Sequence, residues 1–133
     1  MNPIPVVFVL IKNERGEILI LKRSVEEEWY PNTWNILTGK IEDGENPDAA
    51  MKREIQEELG LFIDSYDEAV VPYVREMDNK QWLIHAYRVT VLSTTSLQIN
   101  HEHSEYAWIT VDDLAKFDVL FPVRITLEAF GRK

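Results

Sequence analysis

Three glutamates, Glu54, Glu57 and Glu58, crowd the stretch Arg53 to Gly60, REIQEELG, which reads as the closing turns of a helix. Helical residues follow one another at about 100°. Met51, Ile55 and Leu59 therefore form one apolar stripe, and the three carboxylates share an arc bordering it. Like charges three or four residues apart cost roughly 0.2–0.5 kcal/mol per pair. Glu57 and Glu58 also face the negative end of the helix dipole, at roughly 0.3–1 kcal/mol each if exposed. One cation, Arg53, offsets only part of this. A solvated acidic face is the ordinary reading of a Glu-rich helix, but it does not explain acids in the last turn beside a core stripe. A bound divalent cation explains both, because hard cations such as Mg²⁺ take carboxylate oxygens.

The spacing extends outward from the helix. Gly39 is followed by five residues and then Glu45, and seven more lead to Arg53-Glu54-Ile55-Gln56-Glu57-Glu58-Leu59-Gly60-Leu61. This resembles, at nine positions, the Nudix box of the Nudix hydrolases, the MutT-like pyrophosphohydrolases. The resemblance implies an α/β fold, a Nudix-type α/β/α sandwich with a central mixed sheet. It implies Mg²⁺-dependent hydrolysis, with Mn²⁺ as a substitute, of a diphosphate joined to another moiety, usually a nucleoside. Glu54, Glu57 and Glu58 would hold metal. Gly39 would permit a tight turn, so that the carbonyl of Thr38 or Gly39 reaches a metal. Arg53 and Glu45 would pair and lock the loop to the helix, with Ile55 and Leu61 as core anchors and Gly60 as the helix stop. A further acid comes from a late loop in such enzymes. Glu102, six residues before Trp108, is the first choice; Glu105 is the second, and a solvated loop acid accounts for it equally well. Glu54, Glu57, Glu102 and Arg53 form the implied catalytic set, with the general base open among the three glutamates.

Many MutT-like members carry Pro-Gly-Gly where this chain has Leu37-Thr38-Gly39. That departure argues against an 8-oxo-dGTP-cleaning role. It is closer to members acting on dihydroneopterin triphosphate or deoxynucleotides. A non-catalytic nucleotide-binding module on the same fold is the alternative, but it would be expected to lose a metal glutamate, and none is missing. The isopentenyl-diphosphate isomerases that share the scaffold use a cysteine, and the chain has none.

The elements that must position these residues follow from local signals. Ile4 to Lys12 and Glu17 to Arg23 read as strands joined by the turn Asn13 to Gly16. Ser24 to Asn32 reads as a loop, Trp34 to Thr38 as a short strand and Gly39 to Glu45 as a loop. The helix has Asn46 as N-cap, Pro47 at its first position and Gly60 at its end. Leu61 to Glu76 is strand-like with a polar break at Asp64 to Glu68. Asp78-Asn79-Lys80 turns the chain into a long strand, Gln81 to Leu92. Ser93 to Glu105 reads as loop, Tyr106 to Thr110 as a strand, and Val111 to Phe117 and Pro122 to Phe130 as helical.

Among other residues, Lys22, Arg23 and Lys40 are candidates to meet phosphates, with ordinary surface charge an equal reading. Trp29, in its loop, is the better candidate to stack on a base, though that reading is not favoured over simple packing, whereas Trp34 reads as core. Trp82 and Tyr87 either line a pocket or fill the sheet. His101 and His103 lack the third ligand of a zinc pattern, and His85 reads as structural. Glu26 to Glu28 is a solvated acidic run.

The chain has 133 residues, 45% of them hydrophobic, which fits one domain, 1–133. Without cysteine there are no disulfides or thiolate metal sites, and a reducing, cytoplasmic setting is expected. No apolar run is long enough to span a bilayer, and the start, MNPIPVV, lacks the features of a signal peptide. A net charge of -9 argues against gripping duplex nucleic acid. The expected partner is a small nucleotide or other diphosphate-containing substrate, and a homodimer is compatible with the family.

Overall fold

Strand β1 (Ile4–Lys12) runs through the middle of the sheet, and its side chains explain the layering. Successive strand residues point to opposite faces. Val6, Phe8 and Leu10 enter one core, while Val7, Val9 and Ile11 enter another. A strand covered on both sides needs this unbroken apolar run. The computed structural model describes residues 2–131. Met1, Arg132 and Lys133, which the single-domain expectation includes, lie outside the described residues.

The first core is closed by helix α2 (Phe121–Gly131) through Val123 and Phe130, and the second by helix α1 (Pro47–Leu59) through Met51, Ile55 and Leu59. The result is the expected α/β/α sandwich. The sheet is mixed. β1 runs parallel to β7 (Lys80–Thr90), from Ile4 opposite Trp82 to Lys12 opposite Thr90. On its other side it runs antiparallel to β4 (Leu37–Lys40), from Val6 opposite Lys40 to Val9 opposite Leu37. β2 (Ile18–Arg23) meets β1 only at Lys12 and Ile18, then diverges to pair with β3 (Trp34–Asn35) and β8 (His103–Ile109). β5 (Glu68–Ala69) and β6 (Tyr73–Met77) extend β7 outward. Among the described residues, no helix is long and apolar enough to cross a membrane.

Several boundaries differ from the sequence reading. The strand expected over Trp34 to Thr38 breaks at Ile36, and its second part runs on through Gly39 and Lys40, because β1 offers them partners. Gly39 is therefore strand, not loop. The strand expected from Leu61 is absent up to Asp67. Leu61 and Ile63 pack onto the α1-side core, leaving Phe62 88% exposed, so their alternation reflects a covering loop. The outer edge of β7 is taken instead by β5 and β6. Asp78 and Asn79 alone form the hairpin turn, both at positive φ, and the strand resumes at Lys80. β8 begins at His103 rather than Tyr106, inside the expected loop. The segment Val111–Lys116 is a short 3₁₀ helix.

Candidate active site

Helix α1 brings the acids against β4 and the start of β8. Its start is capped by Asn46, whose Oδ1 accepts from the Ala49 N–H at 2.8 Å. Its end is set by Gly60 at a φ of +70°, with the Gly60 N–H donating to the Gln56 carbonyl. Between these, the Met51, Ile55 and Leu59 stripe seats the helix and fixes its rotation. That rotation sends Glu58 inward to 3% exposure, an unusual place for a carboxylate.

Arg53 organises the outer side of the cluster. Its Nε and Nη2 donate to the two oxygens of Glu45 at 2.7 and 3.0 Å, a bidentate pair that ties the loop before the helix to the helix itself. Nη2 also donates to the Lys40 carbonyl at 3.1 Å. Nη1 donates to Glu54 at 2.9 Å and reaches Glu57 at 3.3 Å. Glu57 stands at the rim, its side chain 49% exposed and held by Arg53.

Gly39 serves this site in a way the sequence reading did not anticipate. It makes no tight turn; among glycines, positive φ occurs only at Gly16, Gly44 and Gly60. Instead, a Cβ at position 39 would fall on the Glu54 carboxyl group. The bare backbone of β4 is what leaves Glu54 its place.

On the inner side, His103 Nε2 lies 2.8 Å from Glu58 Oε1, with both side chains buried. Glu102 joins them: Glu58, Glu102 and His103 each offer a ligand atom within 4.8 Å of the others. Burial, first, pushes both the Glu54 and Glu58 carboxyls above their ordinary pKa. The Glu58 carboxyl beside it pushes Glu54 further, and the charges of Glu102 and Glu57 push Glu58 further. Burial holds the His103 imidazole below its ordinary value, so it is neutral at neutral pH.

The residues fit a divalent cation. Glu58 Oε2 is buried and, among the described residues, has no hydrogen-bond partner. A buried carboxylate oxygen without a partner is costly. A cation beside Glu58 and Glu102 would supply one and would also relieve the mutual repulsion. His103 was missed in the sequence as part of this group. Its place depends on β8 beginning at His103 and pairing with Arg23 across a shift in register, which no local signal announces. Glu105, the second-choice acid, faces away and pairs with Lys22 at 3.5 Å.

Several of the remaining candidates fall along one cleft of about 300 Å³ beside β4. Arg23, Trp29, Thr38, Gly39 and Lys40 all line it. Trp82 and Phe121 line it as well. Arg23 Nε donates to the Trp29 carbonyl at 2.6 Å and so orders the loop carrying that indole. Trp34 packs edge-on against Phe117, with ring centroids 5.2 Å apart. Tyr87 is buried and donates to Asp48 at 2.6 Å, tying β7 to the start of α1.

Comparison with known proteins bears on this geometry. The NUDIX domain family model matches residues 2–129. The chain is 31% identical to a nucleoside triphosphatase, NudI, from Klebsiella pneumoniae, over 95% of each chain. A crystal structure of a MutT protein from Methanosarcina mazei superposes with a TM-score of 0.82 at 26% identity, covering 98% of this chain and 95% of that one. The structure of the Escherichia coli dihydroneopterin triphosphate pyrophosphohydrolase superposes with a TM-score of 0.76 at 20% identity, covering 95% and 93%. At that identity the likeness is one of fold.

Proposed function

The chain belongs to the NUDIX family and is a Nudix hydrolase, and from that premise we propose that it is a Mg²⁺-dependent pyrophosphohydrolase of nucleoside triphosphates or related nucleoside-diphosphate derivatives. Deoxynucleotides and dihydroneopterin triphosphate are the foremost candidates. The observation that carries this reading is the buried, unpartnered Glu58 Oε2 beside Glu54, Glu102 and His103.

Glu58, Glu54 and Glu102 would hold the metal, with Glu57 completing the set at the rim and a β4 carbonyl of Thr38 or Gly39 beside it. When bound, Mg²⁺ supplies charge neutralisation at the phosphates and lowers the pKa of a water. The chain's own groups do the rest. Arg53 fixes Glu54 and Glu57 in orientation through hydrogen bonds at 2.9 and 3.3 Å. His103 fixes Glu58. One of Glu54, Glu57 and Glu102 accepts the proton of the attacking water. Lys40 and Arg23 face the phosphates along the cleft, and Trp29 receives the base. Attack of water on one phosphorus breaks one P–O bond of the anhydride and yields two phosphorylated products.

The test is a panel of nucleoside triphosphates, dinucleoside polyphosphates, nucleotide sugars and dihydroneopterin triphosphate, assayed with Mg²⁺ and with products identified. Mg²⁺-dependent cleavage of a triphosphate supports the reading. A folded protein that cleaves none of them overturns it.

A further inference from the structure

The cleft contains a buried donor that the chemistry above does not use. Asn35, in β3, is 5% exposed and lines the cleft. Its Oδ1 accepts from the Ile36 N–H at 2.9 Å. That bond fixes which way the amide points, so Nδ2 is the other arm. Among the described residues Nδ2 donates to nothing, and it is not sealed in the core. An N–H donor held in a largely buried side chain, open only to a cleft, awaits an acceptor.

The walls suit a flat ring. Trp29 is 58% exposed, an indole left largely to water on an ordered loop. Trp82 lines the same cleft, its Nε1 donating to the Met77 carbonyl at 3.0 Å, which fixes the ring. Lys80 Nζ sits over both indoles, at 5.7 and 6.0 Å from their centroids. An exposed cation over an aromatic face is weakly held, and a planar ring stacks there more favourably. The polar equipment beside the indoles is mainly donors: Asn35 Nδ2 and Lys80, while Arg23 already donates to the Trp29 carbonyl and Glu27. The one carboxylate on the wall, Asp78, already accepts from the Tyr30 hydroxyl at 2.7 Å.

We infer that this cleft selects the base of its substrate, stacking a ring that bears a carbonyl against Trp29 and Trp82 while Asn35 donates to that carbonyl, so that keto bases are preferred over adenine. This rests on the reading that the cleft receives the substrate. Adenine would set an amino donor against the Asn35 donor and leave both unpaired, and a site built to pair a polar group discriminates strongly against a ligand that cannot pair it.

Hypoxanthine and adenine differ chiefly in carrying a carbonyl or an amino group at the same ring position, which makes them the cleanest pair of probes. Neither inosine nor adenosine monophosphate has a diphosphate to cleave, so binding is read without turnover by quenching of tryptophan fluorescence. The unaltered protein should bind the inosine form at least about tenfold more tightly. Asn35→Asp keeps the acceptor for the Ile36 N–H but replaces the donor, and should abolish or reverse the difference. Asn35→Ala should equalise the two ligands. Trp29→Ala should weaken both alike. Equal affinities in the unaltered protein overturn the inference, as does a preference that survives in a folded Asn35 variant. Turnover of inosine and adenosine triphosphates, measured alongside, separates the two proposals. Turnover without base preference leaves the hydrolase standing and removes this inference. Base preference without turnover does the reverse.

Discussion

The imidazole of His103 and the carboxyl of Glu58 meet at 2.8 Å in the interior, although β8 and α1 are far apart in sequence. The contact occupies Glu58 Oε1 and leaves Oε2 for a ligand. Groups that hydrogen-bond a metal-binding carboxylate typically alter metal affinity about 10–100-fold when removed. His103→Ala should therefore weaken Mn²⁺ binding, read by calorimetry, by about that factor. His103→Gln, which retains an N–H donor, should recover part of it. Unchanged Mn²⁺ affinity in His103→Ala would leave His103 a packing residue only.

Gly39→Ala tests the close approach of β4 to α1. The added methyl meets the Glu54 carboxyl group, and that side chain must move. Overpacking of this kind costs about 1–3 kcal/mol. Displacing a group by about an ångström can reduce turnover about a hundredfold. We expect a small drop in melting temperature with a large drop in kcat. A variant as active as the unaltered protein would show that Glu54 needs no fixed position.

Arg53→Lys keeps the charge and removes the fork. Lysine cannot make the bidentate pair with Glu45 while also reaching Glu54. Turnover should fall by about two orders of magnitude, with Mn²⁺ affinity reduced less, because positioning rather than ligation is lost. Equal losses in both would place Arg53's contribution in forming the site itself.

Burial raises the pKa of Glu54 and of Glu58 above 4.5, their ordinary value. The folded state thus holds protons that the unfolded chain has released, so these groups destabilise the metal-free protein increasingly as pH rises through their folded values. His103 is shifted downward by burial, and it opposes folding as pH falls below its ordinary 6.5. Metal-free protein should therefore melt at a lower temperature near pH 9 than near pH 7. Added Mg²⁺, which displaces protons on binding, should raise the melting temperature more near pH 9 than near pH 6. Differential scanning at the three pH values reads both effects, and a Mg²⁺ effect independent of pH would contradict the shifted carboxyls.

Much of this was legible in the residues, for a reason specific to each part. Helix α1 was readable because Asn46, Pro47 and Gly60 act on their own backbone. Strand β1 was readable because its run of apolar, mostly β-branched residues suits a strand, and both faces of it prove to be buried. The role of Gly39 was not, since the group that needs its missing side chain comes from another element. His103 was passed over because its partner depends on how β8 registers against β2. The strand expected from Leu61 failed because apolar alternation also describes a loop laid over a core, and only a free edge on β7 could have made it a strand. Asn35 carried no local signal at all, because its meaning comes from the cleft that three distant segments build around it.

The central claim is that a divalent cation relieves the buried acids around Glu58 and that catalysis depends on it. Glu58→Gln removes the charge and keeps the shape. Titration with Mn²⁺ together with a Mg²⁺-dependent hydrolysis assay on this variant and on the unaltered protein tests the claim most directly. The account predicts site-specific binding and turnover in the unaltered protein, and a folded variant with binding greatly weakened and turnover lost. A Glu58→Gln protein that binds the metal and hydrolyses its substrate at the original rate would contradict it.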